Sequence, residues 1–139
     1  MEKKDIYNEI GTNYRYFLDW RHKLLAGYLV SIAGLAIGFS WAMTNSEIKH
    51  YSWIILLLGI IISLVFWGLD YRNRDLFHIC LRAGMALEKN DNITDGQEIY
   101  TTLETSKKRI SHGLVLDIMF SIATFGFLVG TIIAAFCMK

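Results

Sequence analysis

The segment SLVFWGLDYRNRDLFHICLRAG, residues 63–84, passes from an apolar run into a charged one with nothing that breaks a helix. It holds no proline, and Gly68 and Gly84 stand singly. Residues 53–69 are almost wholly apolar, and Asp70, Arg72, Arg74 and Asp75 follow at once. Asp70 precedes Arg74 by four positions, the favourable order for an ion pair along a helix. A helix that leaves a membrane and continues as a rigid rod accommodates both halves. Beyond the apolar run, Leu69, Leu76, Cys80, Ala83 and Leu87 recur on one face, widened by Phe77 and Leu81. An amphipathic half of this kind must bury that face against a partner element.

The remainder of the chain fits the same scheme. Its 139 residues make one domain, with 53% hydrophobic residues and a mean hydropathy of +0.33. The apolar residues fall into three blocks, Leu24–Met43, Trp53–Leu69 and Gly113–Phe136. Each approaches the ~20 residues that a helix needs to cross ~30 Å of hydrocarbon. A soluble bundle would need more polar surface than so short a chain retains. The expected class is an all-α integral membrane protein with three transmembrane helices, an N-terminal amphipathic helix and a cytoplasmic helical hairpin. The divisions are 1–23 (cytoplasmic or interfacial helix), 24–44 (first span), 45–51 (short external loop), 52–70 (second span), 71–112 (hairpin) and 113–137 (third span).

Charge sets the expected orientation. Of 14 Lys and Arg residues, only Lys49 and Lys139 fall outside the segments before the first block and between the second and third. The positive-inside rule then puts the N-terminus in the cytoplasm and the C-terminus outside. A cleaved signal peptide is a poor reading of the first block. Its leader is long and carries acidic residues, and its apolar run exceeds the usual 7–15 residues. Cys80 and Cys137 would lie on opposite sides of the bilayer and do not pair.

Residues 5–23 place Ile6, Ile10, Tyr14 or Asn13, and Phe17 at helical spacing, with Gly11 weakening the centre as a site for a bend. Two readings stay open: a helix lying on the inner leaflet with Trp20 at headgroup level, or a cytosolic extension of the first span. Past the rod, residues 90–96 read as a turn, and Thr94 with Gln97 or Asp95 with Glu98 offers a capping box. A returning helix over 97–112 would carry Ile99, Leu103 and Ile110. Its end is basic: Lys107, Lys108 and Arg109, with Arg72 on the rod, suit anionic lipid. Asn92-Ile93-Thr94 matches a glycosylation acceptor on the wrong side of the membrane, and Asp91–Gly96 is a poor calcium loop.

Small residues recur every fourth position in the first span, at Gly27 and Ser31 and again at Gly34, Gly38 and Ala42, and in the third at Gly126, Gly130 and Ala134. Such strips let backbones approach, either within the chain or between copies. Asp117 is the only ionisable residue inside an apolar block, about one turn from its cytosolic end. It is a functional candidate by rule and an interfacial, paired carboxylate by depth. Arg74, His78 and Arg82 stand on successive turns as a cationic stripe. The stripe would take phosphate or a partner protein, or serve as a solvated face. No catalytic constellation, metal-ligand spacing or cofactor motif is present in the sequence, and a non-enzyme without cofactor or metal is expected. Specific nucleic-acid binding is not expected.

The stretches GTNYRYFLDWRHKLLAGYL (11–29) and FWGLDYRNRDLFHICLRAGMALE (66–88) resemble those of small bacterial membrane proteins. In plan the chain is similar to the SLATT-type membrane modules, which put a cytosolic helix before and after two spans and occur near nucleotide-signalling and phage-defence genes. The third span departs from that plan. The resemblance implies a homo-oligomer that forms or gates a membrane breach when its cytoplasmic part meets a partner or a nucleotide. A non-catalytic anchor that docks a cytosolic protein is the alternative.

Overall fold

The computed structural model describes residues 3–90, 98–105 and 112–137. Helix α1 (Lys3–Thr44) leads through a short turn and a single 3-10 turn (Lys49–Tyr51) into α2 (Ser52–Asn90). The short α3 (Ile99–Thr105) and α4 (His112–Cys137) follow. The tight α1–α2 reversal is held by Asn45, whose side chain accepts the Glu47 amide at 3.2 Å and whose carbonyl accepts the Lys49 amide at 2.9 Å. Helices α1, α2 and α4 are each long and apolar enough to cross a membrane, as in a multi-pass membrane protein.

Helix α2 is the centre, packing on α1 along one flank and α4 along the other. The pairings Tyr7–Glu88, Arg21–Asp70 and Tyr28–Ser63 make α1 and α2 antiparallel. Trp67–Asp117 and Gly59–Phe127 do the same for α2 and α4. Between the spans, Tyr28 packs on Phe66 and Phe120 with ring centroids 5.5 and 4.9 Å apart, and its hydroxyl meets Ser63 Oγ at 3.0 Å. Buried polar groups inside lipid need such internal partners, since water is absent.

Lengths then divide the molecule into a belt and a head. From Ser52 to Asp70, α2 rises about 27 Å, close to the ~30 Å of a hydrocarbon core. Leu29, Val30, Ile37, Ile61, Leu64, Ile122 and Phe125 are exposed around this belt, a surface suited to lipid. Beyond Asp70, α2 continues about 30 Å further, with the first half of α1 beside it.

Helix α1 runs unbroken through Gly11 from Lys3 to Thr44, in one line with the first apolar block. A Cβ at Gly11 would stand 3.2 Å from the Tyr100 hydroxyl; the residue makes room for α3 rather than a bend. The inward face of the head also differs from the hydrophobic pattern. Leu69, Leu76 and Ala83 are exposed, whereas Asp70, Asn73, Leu81, Gly84 and Glu88 are buried. Three of the inward positions are polar side chains with hydrogen-bond partners, and counting apolar residues rotates the face away from them. In α3, Ile99 and Leu103 are exposed and Tyr100 is buried. The capping boxes, Ile110 and the Asn92 motif lie wholly or partly outside the described residues.

Candidate functional site

Where the head meets the belt, four charges from three helices form one chain. Arg21 of α1 donates from Nε to Asp70 Oδ1 at 3.0 Å. Arg74, one turn along α2, sets its Nε 3.2 Å from Asp70 Oδ2 without hydrogen-bond alignment, so that contact is Coulombic. The same guanidinium clasps Asp117 of α4 through both Nη atoms, at 2.7 and 2.6 Å. Trp67 donates its indole N–H to Asp117 Oδ1 at 2.8 Å. The four charges cancel. Asp70 is 2% exposed, too deep for an unpaired carboxylate. A planar guanidinium is the group that can serve two carboxylates at once, and lysine would not replace it.

One turn above, Asn73 donates from Nδ2 to the Phe17 carbonyl at 3.1 Å, tying the head's two long helices backbone to side chain. At the tip, Tyr100 enters between α1 and α2. Its ring lies edge-on to Tyr7 and Tyr14, at 5.3 and 6.0 Å, and covers Gly84, where a Cβ would collide with the ring. Glu88, 1% exposed, fixes that arrangement. Its Oε1 accepts the Tyr7 hydroxyl at 3.1 Å and the Tyr100 amide at 2.8 Å. Its Oε2 accepts the Thr101 amide at 2.9 Å and hydroxyl at 2.8 Å. These amides open α3 and have no carbonyl within their own helix. Burial pushes the Glu88 carboxyl up, but the Tyr100 and Thr101 amides and the Thr101 and Tyr7 hydroxyls outweigh it and hold it below its ordinary value. The Tyr7 hydroxyl, desolvated and donating to that anion, is pushed up to about 12.

The sequence-predicted residues divide accordingly. Arg74 does not belong to a free stripe: it is bound to Asp117 and Asp70, while His78 is half-buried edge-on to Phe77 and Arg82 is exposed. Asp117 is a paired carboxylate, held by Arg74. Trp20 is exposed and stacks on Tyr16, with Arg72 exposed nearby across one groove. Lys107, Lys108 and Arg109 lie outside the described residues. The small-residue strips split. Gly27 meets Phe66, Gly130 meets Leu56, and Ala42 and Ala134 are buried, whereas Gly34, Gly38 and Gly126 have no side chain or other helix within 4 Å of a Cβ. Ser31 returns its hydroxyl to the Gly27 carbonyl. Sequence reasoning missed Glu88, Tyr100, Arg21 and Trp67. The signals were present as Gly84 and Gly11, each a space kept for one aromatic ring.

Among the described residues, no cluster of His, Cys, Asp or Glu has the grouping of a metal site. No family model, curated protein or solved structure matches this chain.

Proposed function

We propose that this chain is a non-catalytic protein of the bacterial inner membrane that holds a rigid helical head above the inner leaflet as a docking element for a cytosolic protein. The carrying observation is the α1–α2 extension of about 30 Å, locked at its base by the four-charge chain and at its tip by Tyr100 on Glu88. A spacer without a task would not need two buried ionic anchors. The positive-inside distribution of Lys and Arg supports a cytoplasmic head. Ile79, at 59% exposure, and Arg82 offer an apolar and a cationic contact on its surface. A photo-crosslinking residue at Ile79 should trap one soluble protein in fixed ratio, with no conductance from the purified chain in liposomes. Conductance without a crosslinked protein would refute this reading. Reagent labelling of Arg82→Cys from outside intact cells would refute the orientation.

A second reading, an oligomeric breach of the kind the SLATT-like plan implies, is favoured by one observation. Gly34 and Gly38 present an uncovered flat patch on α1, and Gly126 another on α4. The particle mass in nanodiscs separates the two: several copies with conductance favour the breach, and a single copy removes it.

A further inference from the structure

Between α2 and α4, a shallow, open cleft of about 480 Å³ is lined by Leu64, Trp67, Gly68, Tyr71, Arg74 and Asp117. Its polarity changes along its length. Leu64 lies in the apolar belt, and Arg74 and Asp117 close the other end at the boundary of belt and head. Along α2 those ends are about 15 Å apart. Gly68 forms the floor, and a Cβ there would meet nothing within 4 Å. The glycine leaves open the space that any larger side chain would occupy.

We propose that this cleft binds one zwitterionic phospholipid with a primary ammonium headgroup, its acyl chain along Leu64 and its headgroup at Arg74 and Asp117. The inference rests on the membrane reading above. Three features select the ligand. The Asp117 side chain is 36% exposed although three donors already reach it, and Oδ2 accepts only one of them, so an ammonium can bind there. Arg74 uses one N–H from each Nη on Asp117; the second on Nη2 lies beside Nε–H on the Asp70 side, and the second on Nη1 is left for a phosphate oxygen. The guanidinium and carboxylate sit side by side in a four-charge set of zero net charge, which offers no net attraction to a plain anion or cation and matches a phosphate joined to an ammonium. Trp67 and Tyr71 line the wall between the two ends. Tyr71 is already 5.5 Å from the Arg74 guanidinium carbon.

The test is native mass spectrometry of the detergent-solubilised chain with short-chain phosphatidylethanolamine, phosphatidylcholine and phosphatidylglycerol, each added alone, for wild type and Gly68→Leu. One phosphatidylethanolamine should be retained per chain, about tenfold more strongly than either other lipid, the effect of one charge-assisted contact. Gly68→Leu should abolish that retention without lowering the melting temperature measured in the absence of lipid, since a Cβ there meets only open space. Equal retention of the three lipids, or retention undiminished in Gly68→Leu, overturns the proposal. Displacement by equimolar O-phosphoethanolamine would assign the site to a soluble zwitterion and overturn the lipid. A wild-type chain that stays in the aqueous phase without detergent removes instead the membrane reading beneath it.

Discussion

Glu88→Gln tests the tip of the head most directly, because it keeps shape and removes only charge and one acceptor. Each carboxylate oxygen of Glu88 accepts one backbone amide and one hydroxyl. When an amide NH2 replaces either oxygen, the hydroxyl on that side, Tyr7 or Thr101, can rotate to accept. The backbone amide cannot. Whichever way the glutamine is turned, one N–H of Tyr100 or Thr101 faces another donor in a buried place. An orphaned donor costs ~1–3 kcal/mol, and the remaining bonds lose their charge assistance. The total is about 2–4 kcal/mol, local to α3. Hydrogen exchange reads this directly: at ~1.4 kcal/mol per decade, the Tyr100–Thr105 amides should exchange roughly 30- to 700-fold faster. The exposed middle of α2 should not change. The pH dependence has a definite sign. The carboxyl is held below its unfolded value, so its contribution is complete above that value, ~4.3, and is lost as pH falls through the lower folded value. Wild-type protection, corrected for intrinsic exchange, should be flat at neutral pH and fall only in acid, whereas Glu88→Gln should lack that step. Unchanged exchange over Tyr100–Thr105 in the variant would refute the capping role.

Arg74→Ala should destabilise the detergent-held chain by about 3–5 kcal/mol, because Asp70 and Asp117 lose their shared cation. Thermal unfolding followed by circular dichroism checks it, and a loss under 1 kcal/mol would contradict a buried link. Gly59→Val should cost ~1–3 kcal/mol in the same assay, since a Cβ there lies 2.7 Å from the Phe127 ring. Gly34→Ala, with open space around it, should leave the isolated chain at least as stable as wild type and weaken only association between copies. Burial pushes the Cys80 thiol up, so maleimide should label it slowly at neutral pH and faster as pH rises.

The belt was legible in the sequence because hydrocarbon sorts residues by one property, and Leu24–Met43, Trp53–Leu69 and Gly113–Phe136 state it without tertiary context. The unbroken entry of α2 into the head was legible for a similar reason: residues 63–84 contain nothing that stops a helix. The head was harder. Its inner face is written in Asp70, Asn73, Glu88 and Gly84, and a rule that sends polar residues outward turns α2 toward Leu69 and Leu76. Partners for Asp70 and Glu88 come from positions 49 and 12 residues away, and spacing along one helix does not reveal them. Arg74 shows how a sound local rule can mislead. Its i to i+4 pairing with Asp70 is real, yet the stronger bond is to Asp117, 43 residues on.

Ribosomes deliver α1 and α2 to the bilayer before α4 exists. Over that interval the hairpin carries Arg21, Asp70 and Arg74 with a surplus positive charge at the lipid boundary, and the anion that neutralises it arrives with the last span. A chain cut short before Asp117 would therefore leave Arg21 and Arg74 sharing the single carboxylate of Asp70.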